Sequence, residues 1–180
     1  DADASYAAYI ESGPLKGVNV CGRVERHSYA MIDATDPCRG FATIRDTDTP
    51  PTNNRGEYLA WCWLLLLLLR SGVRGRVEVV SDCKLFIQTM EDWLPARRRK
   101  GTAQQLKNFD LVEIGETLLA ALREQCDTVT LTHVNSHRKQ PPATAGRRVR
   151  AVWAGNDRVD RMASQVLKGA ESFTLDAPRP

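Results

Sequence analysis

The spacing of hydrophobic and polar positions predicts a chain that begins with strands. Residues 18–24 and 41–44 are short runs rich in β-branched or aromatic side chains, a composition that is typical of strands. Residues 29–33 form a third candidate strand. Residues 47–52 contain Pro50-Pro51 and are expected to form a loop.

After this loop, the pattern changes to helices that alternate with strands. An almost wholly apolar run at 59–69 lies within a predicted helix at 55–70, which Ser71-Gly72 would end. The run is too short to span a bilayer, which takes ~20 residues, so we expect a buried helix. A strand at 76–81 and a helix at 84–93 follow.

The second half of the chain continues this alternation. Apolar residues at helical spacing predict a helix after Asn108, which is a suitable cap, and β-branched residues predict a strand at 128–134. A last helix is expected to open near Gly155. The basic segments 95–105 and 138–153 lack periodicity and are expected to be irregular. This order of elements indicates an α/β fold with a mixed sheet.

Composition describes an ordinary globular chain, and the distribution of charge adds one feature. The 180 residues suffice for one domain with a core, and the formal net charge is only +3. Basic residues nevertheless cluster at Arg97-Arg98-Arg99-Lys100 and again at 147–150. Each cluster is either a solvated surface or a contact for phosphates.

The five cysteines are scattered and form no Cys-x-x-Cys pair. A zinc site and a full disulfide framework are therefore not expected, and a reducing compartment is the simplest expectation. No signal peptide is visible, so we expect an intracellular protein of the cytoplasm or nucleus. The chain begins at Asp1 without Met, as a piece of a larger protein would.

Three acidic residues stand at the ends of predicted elements. Glu57 lies at the start of the apolar helix, Asp82 directly follows the 76–81 strand, and Asp160 lies in the last helix. A fold can bring such residues together, and converged carboxylates repel each other unless cations neutralise them. Oxygen ligands of this kind suit Mg²⁺ or Mn²⁺. The first hypothesis is a metal-dependent enzyme that acts on phosphodiesters.

Five local motifs surround these acids in a defined order. They are Thr52-Asn53-Asn54-Arg55-Gly56-Glu57; Ser81-Asp82-Cys83-Lys84 with Gln88 and Trp93; Arg97 to Gly101 with Lys107-Asn108-Phe109-Asp110-Leu111; Val134-Asn135-Ser136-His137; and Gly155-Asn156-Asp157-Arg158-Val159-Asp160. In this order they resemble the motifs of type 1 ribonuclease H, over about residues 3–168.

The resemblance implies an RNase H-like fold, in which a five-stranded mixed β-sheet is flanked by α-helices. It implies a catalytic domain at 1–168 and a C-terminal tail at 169–180. The implied reaction is hydrolysis of the RNA strand of RNA–DNA hybrids with two Mg²⁺ ions, for which Mn²⁺ is a possible substitute. The implied catalytic residues are Asp3, Glu57, Asp82, His137 and Asp160, of which the four acids would hold the metals.

The acid of the first strand is the least well matched part of the resemblance. Asp3, in Asp3-Ala4-Ser5, corresponds best to the family's Asp-Gly-Ser, although the strand that should precede it is missing from the given sequence. Asp33 and Glu11 are rivals. In the last helix Asp157 competes with Asp160, and helical geometry favours Asp160 at the flank of the apolar stripe, with Asp157 further into solvent.

The resemblance also implies contacts with the hybrid. The residues concerned are Thr52, Asn53, Asn54, Gln88, Trp93, Arg97, Arg98, Arg99 and Lys100. Each has a purely structural alternative: Thr52 can be a helix cap, Asn53-Asn54 a turn, Trp93 part of the core, and the basic run a solvated surface. His137, with a pKa near neutrality, suits proton transfer or product release, but it can equally be a surface histidine.

Two departures and two rival functions stay open. The segments 6–50 and 138–154 are longer than is usual for the family, and Ser136 stands where the family has glycine. The rivals are the ribonuclease H domain of a reverse transcriptase or polyprotein, and a catalytically silent member that only binds nucleic acid. The expected partner is an RNA–DNA hybrid and not a membrane, and the protein is expected to be a monomer or a domain of a larger protein.

Overall fold

The computed structural model of the protein describes residues 3–135 and 139–169, and its first half contains two antiparallel strand pairs. Strand β1 (Ser5–Tyr9) pairs with β2 (Asn19–Arg23), and β3 (His27–Met31) pairs with β4 (Phe41–Asp46). Strands β2, β3 and β4 lie close to the predicted positions. Strand β1 was not predicted, because Ser-Tyr-Ala-Ala-Tyr contains no β-branched residue.

A third, parallel pair joins β5 (Arg76–Ser81) to β6 (Thr128–His133). Antiparallel and parallel pairs together make the fold mixed α/β, as predicted. The single five-stranded sheet is not confirmed, since the six strands of the described residues form three separate two-stranded ladders.

The two longest predicted helices of the middle region are confirmed. Helix α1 (Asn53–Arg70) carries the apolar run, and Thr52 caps it, its Oγ1 accepting a hydrogen bond from the Arg55 amide at 3.2 Å. Residues 84–93 fold as α2 (Lys84–Gln88) and one π-helical stretch (Thr89–Trp93). The other long helix of this region is α4 (Phe109–Gln125).

Three local predictions were wrong. The basic segment after residue 93 is helical in part, as α3 (Leu94–Arg99), and the last helix α5 (Arg147–Leu167) begins eight residues before Gly155. Arginine is a good helix former, so a basic run without an apolar stripe can still be helical. Asn108 precedes α4 but its side chain makes no capping bond, and its backbone is left-handed with φ 58°.

The core lies between α1, α4 and the strands. Helix α1 packs along α4 and also against β1. Leu65 and Leu118 are fully buried, and the Trp61 ring stacks on the Phe86 ring with centroids 4.3 Å apart. This core fixes the start of α1 relative to β1, because the Ser5 carbonyl lies so near Gly56 that a Cβ there would stand 2.5 Å from its oxygen.

Helix α5 packs against β1 and β2, and its contacts give the direction of β1. Arg148 at its start contacts Glu78 of β5, the Arg158 guanidinium lies over the Tyr9 ring, and the Ser5 hydroxyl donates to the Ala163 carbonyl. Strand β1 therefore runs against α5. In the described residues, no helix is long and apolar enough to cross a membrane. All five cysteines are free.

Candidate active site

The start of α1 holds Glu57 in a partly buried position. Thr52 caps the helix, so its first turn is ordered, and Glu57 follows one turn later. Asp82 directly follows β5, where the carboxyl end of the strand turns toward α2, and it is also partly buried. Asp160 lies in the second half of α5 and is exposed. Three distant segments thus contribute one acid each.

The negative charges of Asp82 and Asp160 both act on Glu57. Burial, which has the largest effect, and the negative charges of Asp82 and Asp160 together raise the pKa of Glu57 to about 7. The thiol of Cys83 responds to the same charges: burial raises its pKa most, and Glu57 and Asp82 add to the effect. The predicted convergence of Glu57, Asp82 and Asp160 is therefore present. All three line one cavity of about 570 Å³ between β1, β5 and α5.

The fourth predicted acid has no effect on the pKa of Glu57. Asp3 is exposed and precedes β1, and it is not among the charges that raise the pKa of Glu57. Of its rivals, Asp33 accepts hydrogen bonds from Thr35 in an exposed turn. Glu11 lines the far part of the same cavity, where its Oε2 lies 3.6 Å from Arg158 Nη1. His137 falls outside the described residues.

Exposure does not separate Asp157 from Asp160 in the predicted way. Asp157 is partly buried and forms an ion pair with Arg161 at 2.8 Å, whereas Asp160 is the more exposed of the two. The two residues differ instead in their effect on Glu57, because the charge of Asp160 raises the pKa of Glu57. Both also line a second cavity of about 390 Å³ beside β6.

The donor chemistry of the acid cluster fits a hard divalent cation, but the side chains are not gathered into a finished site. Over residues 3–135 and 139–169, no three Asp, Glu, His or Cys side chains form a ready-made metal cluster. Burial and the like charges of Asp82 and Asp160 raise the pKa of Glu57, and a bound cation would offset this cost.

An ion pair that the sequence reasoning did not identify holds the site in place. Arg55 is 2% exposed, and its guanidinium donates to both Asp110 carboxylate oxygens, at 3.0 and 2.6 Å. It also donates to the His27 carbonyl at 2.5 Å and to Asn108 Oδ1 at 3.3 Å. These bonds tie the first turn of α1 to α4 two residues before Glu57. A sequence signal was present, since Arg55 and Asp110 both occur in the motifs.

The predicted nucleic-acid contacts are mostly exposed. Asn53 and Asn54 lie in the first turn of α1 rather than in a turn before it, and Gln88 ends α2. Trp93 is 44% exposed, so it is not a core residue. Thr52 is the α1 cap, and its hydroxyl is partly occupied by that role.

The basic run at the end of α3 is exposed in all four members. Arg98 bonds Glu116 at 2.5 Å and lies over the Phe109 ring, while Arg97 bonds Gln105 at 3.3 Å. The run is therefore presented on the surface as predicted, but on a helix, and Arg98 is partly neutralised.

The model of the RNase H family matches residues 24–168. The match covers most of the chain, and the protein belongs to the RNase H family. Membership indicates a nuclease of the ribonuclease H type and agrees with the mixed α/β fold. The match does not include Asp3. No curated protein gives a significant match to the chain.

Proposed function

We propose that the protein is an endoribonuclease that hydrolyses the RNA strand of RNA–DNA hybrids with divalent metal ions. The observation that carries the proposal is the convergence of Glu57, Asp82 and Asp160 from three distant segments, in a chain that belongs to the RNase H family. A carboxylate with a pKa of about 7 has little structural use at the start of a helix, but it suits a site completed by a cation.

Glu57, Asp82 and Asp160 are the residues that would hold the metal ions, and Asp3 stays a prediction as the fourth ligand. Two bound Mg²⁺ ions would supply an activated water and charge relief for the leaving oxygen. The chain itself holds the acidic side chains in position. The buried Arg55 ion pair fixes the start of α1, and the Ser81 hydroxyl, which accepts a bond from the Cys83 amide at 3.0 Å, orders the turn that carries Asp82.

Exposed polar and basic groups support the choice of a nucleic-acid substrate. Asn53 and Asn54 lie four and three residues before Glu57, where they can reach a minor groove that displays 2′-hydroxyls. Gln88 and Trp93 follow Asp82 along α2 and the π-helical stretch. The basic run at 97–100 would then contact phosphates further from the cleavage point.

The test is cleavage of end-labelled substrates by the purified chain. An RNA–DNA hybrid, duplex RNA and duplex DNA of the same sequence are incubated with Mg²⁺, with Mn²⁺ or with EDTA. We expect internal cleavage of the RNA strand of the hybrid only, in the presence of either metal. Cleavage in EDTA, or equal cleavage of all three duplexes, would contradict the proposal.

A silent, hybrid-binding member is the second candidate. The specific observations in its favour are that Asp3 does not contribute to the raised pKa of Glu57 and that the described acids form no ready-made cluster. Hybrid binding without cleavage in either metal, measured with the same substrates, would select this function. Whether the domain belongs to a reverse transcriptase or polyprotein does not alter either test.

A further inference from the structure

Residues 84–99 form one continuous helix whose middle is π-helical. The π-helical stretch (Thr89–Trp93) joins α2 to α3, and the Leu94 amide donates to the Thr89 carbonyl, five residues back. In an α-helix the same amide would donate to the carbonyl four residues back. Turns with one extra residue are rare, and they occur frequently at functional sites.

The burial of side chains shows what the extra residue changes. In a regular α-helix, a residue seven positions after Phe86 would point within about 20° of it, toward the core. That residue is Trp93, which is nevertheless 44% exposed, whereas Leu94 is 2% exposed. The extra residue rotates the following side chains by about 100°, the angle of one α-helical residue, so Leu94 enters the core and Trp93 leaves it.

The buried side of this helix packs against α4 both before and after the π-helical stretch. A Cβ at Gly115 of α4 would stand 2.8 Å from Phe86 Cε2 and 3.1 Å from Met90 Cε. Beyond the stretch, Arg98 bonds Glu116 of α4 at 2.5 Å. The helix therefore presents one continuous side to α4, and the extra residue keeps that side aligned.

The beginning of the π-helical stretch is tied to the acid cluster through α1. Thr89 is buried, and its hydroxyl shares a hydrogen bond of 2.7 Å with the hydroxyl of Tyr58, which is also buried. Tyr58 directly follows Glu57 in α1. The position of the stretch is therefore fixed relative to the proposed metal ligands.

The sequence supplies a cause for the extra residue in Pro95, which lies in the first turn of α3. In a regular helix the amide of residue 95 would donate to the Glu91 carbonyl, but proline has no amide hydrogen and its ring collides with that carbonyl. A wider turn directly before the proline relieves this collision. Pro95 is the only proline or glycine in residues 84–99, so no other helix breaker accounts for the turn.

The rotation places an aromatic ring among polar and basic side chains. Trp93 lies between Gln88 and Arg97 along the helix, and all three are exposed. A large apolar side chain is ordinarily buried when its helix offers a core-facing position. An exposed indole instead offers a flat surface on which nucleic-acid bases stack, and neighbouring basic groups suit phosphates.

We propose that Pro95 is a positioning residue for substrate binding. By fixing the π-helical stretch, it turns Trp93 out of the core so that the indole contacts the hybrid, while Pro95 itself touches no substrate. The inference rests on the proposed function for the identity of the substrate. The orientation of Trp93, however, is measurable without any substrate.

The first measurement is the solvent exposure of Trp93 in the full 180-residue chain. Fluorotryptophan is incorporated, Trp93→Phe identifies the fluorine resonance of Trp93, and its shift between H₂O and D₂O reports exposure. Pro95→Ala restores the missing amide donor and removes the ring, so a regular helix can form. We expect the Trp93 resonance to lose most of its solvent shift in Pro95→Ala, with folding confirmed by circular dichroism.

The second measurement is hybrid affinity in EDTA, which prevents metal-dependent cleavage. Pro95→Ala and Trp93→Ala should each weaken binding about tenfold, the usual size of one aromatic stacking contact. The double variant should bind no more weakly than either single variant, because Pro95 acts through Trp93. A general loss of structure would instead add to the loss of the indole.

A rescue and a matched control complete the design. Deletion of Asp92 from the Pro95→Ala variant removes the extra residue, so that Leu94 stands seven positions after Phe86 and a regular helix exposes Trp93 again. This variant should regain the affinity of the wild type. Pro142→Ala changes an exposed proline in the loop before α5 and should alter neither the fluorine shift nor the affinity.

Three outcomes would overturn the inference. Unchanged exposure of Trp93 in Pro95→Ala would show that the turn does not depend on the proline. Additive losses in the double variant would show that Pro95 affects binding other than through Trp93. A folded Asp92 deletion that fails to regain affinity would show that the extra residue does not orient the indole. A wild type that neither binds nor cleaves hybrid would contradict the proposed function instead, and the fluorine measurement would still decide whether Pro95 orients Trp93.

Discussion

Arg55 and Glu57 are two residues apart in α1, both are shielded from solvent, and their surroundings are opposite. The Arg55 guanidinium is bonded to Asp110, His27 and Asn108, so its charge is compensated on the spot. Glu57 faces burial and the like charges of Asp82 and Asp160, which raise its pKa to about 7. The folded protein stabilises the positive charge of Arg55 and destabilises the negative charge of Glu57.

The difference separates structural from functional use of charge. A buried charge bonded to a counter-ion fixes the position of its helix, and removal of one partner leaves the other uncompensated. The ionised form of Glu57 is destabilised by burial and by Asp82 and Asp160, and a bound cation would offset that cost. In this protein the first arrangement orders the helix turn that presents the second.

The largest expected effect comes from removing the charge of the acid cluster. If Glu57 and Asp82 hold the metal ions as proposed, Glu57→Gln or Asp82→Asn should lower hybrid cleavage by at least about 1,000-fold, because a metal-ligand charge is worth several kcal/mol in the transition state. The measurement is single-turnover cleavage with Mg²⁺, and circular dichroism confirms the fold. Near-normal turnover in Asp82→Asn would remove the basis for a metal site here.

Removal of the Arg55 side chain tests whether its ion pair with Asp110 stabilises the fold. Arg55→Ala should reduce the free energy of unfolding by about 3–5 kcal/mol, since Asp110 would keep a partly buried charge without its partner. Urea denaturation measures this. Ala at both Arg55 and Asp110 is the matched control and should cost less than the single change, so a double variant that is no more stable would contradict the assignment.

The pH dependence of stability distinguishes the two charges without any substrate. The folded-state pKa of Glu57 is raised above its usual 4.5, so its contribution is fully present below about pH 4.5 and is lost as pH rises through about 7. In EDTA, stability should fall over this window by at most about 3 kcal/mol. Glu57→Gln should abolish that fall, and Mg²⁺ should diminish it. Identical pH profiles for the two proteins would show that ionisation of Glu57 does not destabilise the folded protein.

The next comparison lies within α5. Asp160→Asn should lower Mg²⁺-dependent cleavage by about 100-fold, or about 2.7 kcal/mol, because Asp160 acts on Glu57. Asp157→Asn should change cleavage little, since Asp157 is paired with Arg161. Both variants are assayed side by side with hybrid at saturation. Equal losses, or a larger loss for Asp157→Asn, would show that the functional part of α5 lies one turn earlier, at Asp157.

The smallest effect is expected from the exposed basic run on α3. Replacing Arg97, Arg98, Arg99 and Lys100 with alanine should weaken hybrid binding mainly at low salt and leave saturated turnover unchanged. Each lost phosphate contact should reduce the slope of log affinity against log salt by roughly 0.7–0.9. Arg98 already bonds Glu116, so fewer than four contacts are expected to disappear. Unchanged slopes would mean that this run is only a solvated surface.

The sequence by itself determined the elements whose patterns are local. An almost wholly apolar run located α1, apolar periodicity located α4, and β-branched runs located β5 and β6. The motifs placed Glu57, Asp82 and Asp160 at element ends or on a helix flank. Such features need only neighbouring residues, because helix and strand periods are read within a few positions.

Only the tertiary structure decided what depends on distant partners. Strand β1 forms because β2 pairs with it, and α5 extends back to Arg147, where Arg148 reaches Glu78 across the sheet. Arg55 and Asp110 were visible in the sequence, but nothing local showed that their side chains meet. Pairing and burial join residues far apart in the chain, and their energies therefore depend on the whole fold rather than on local pattern.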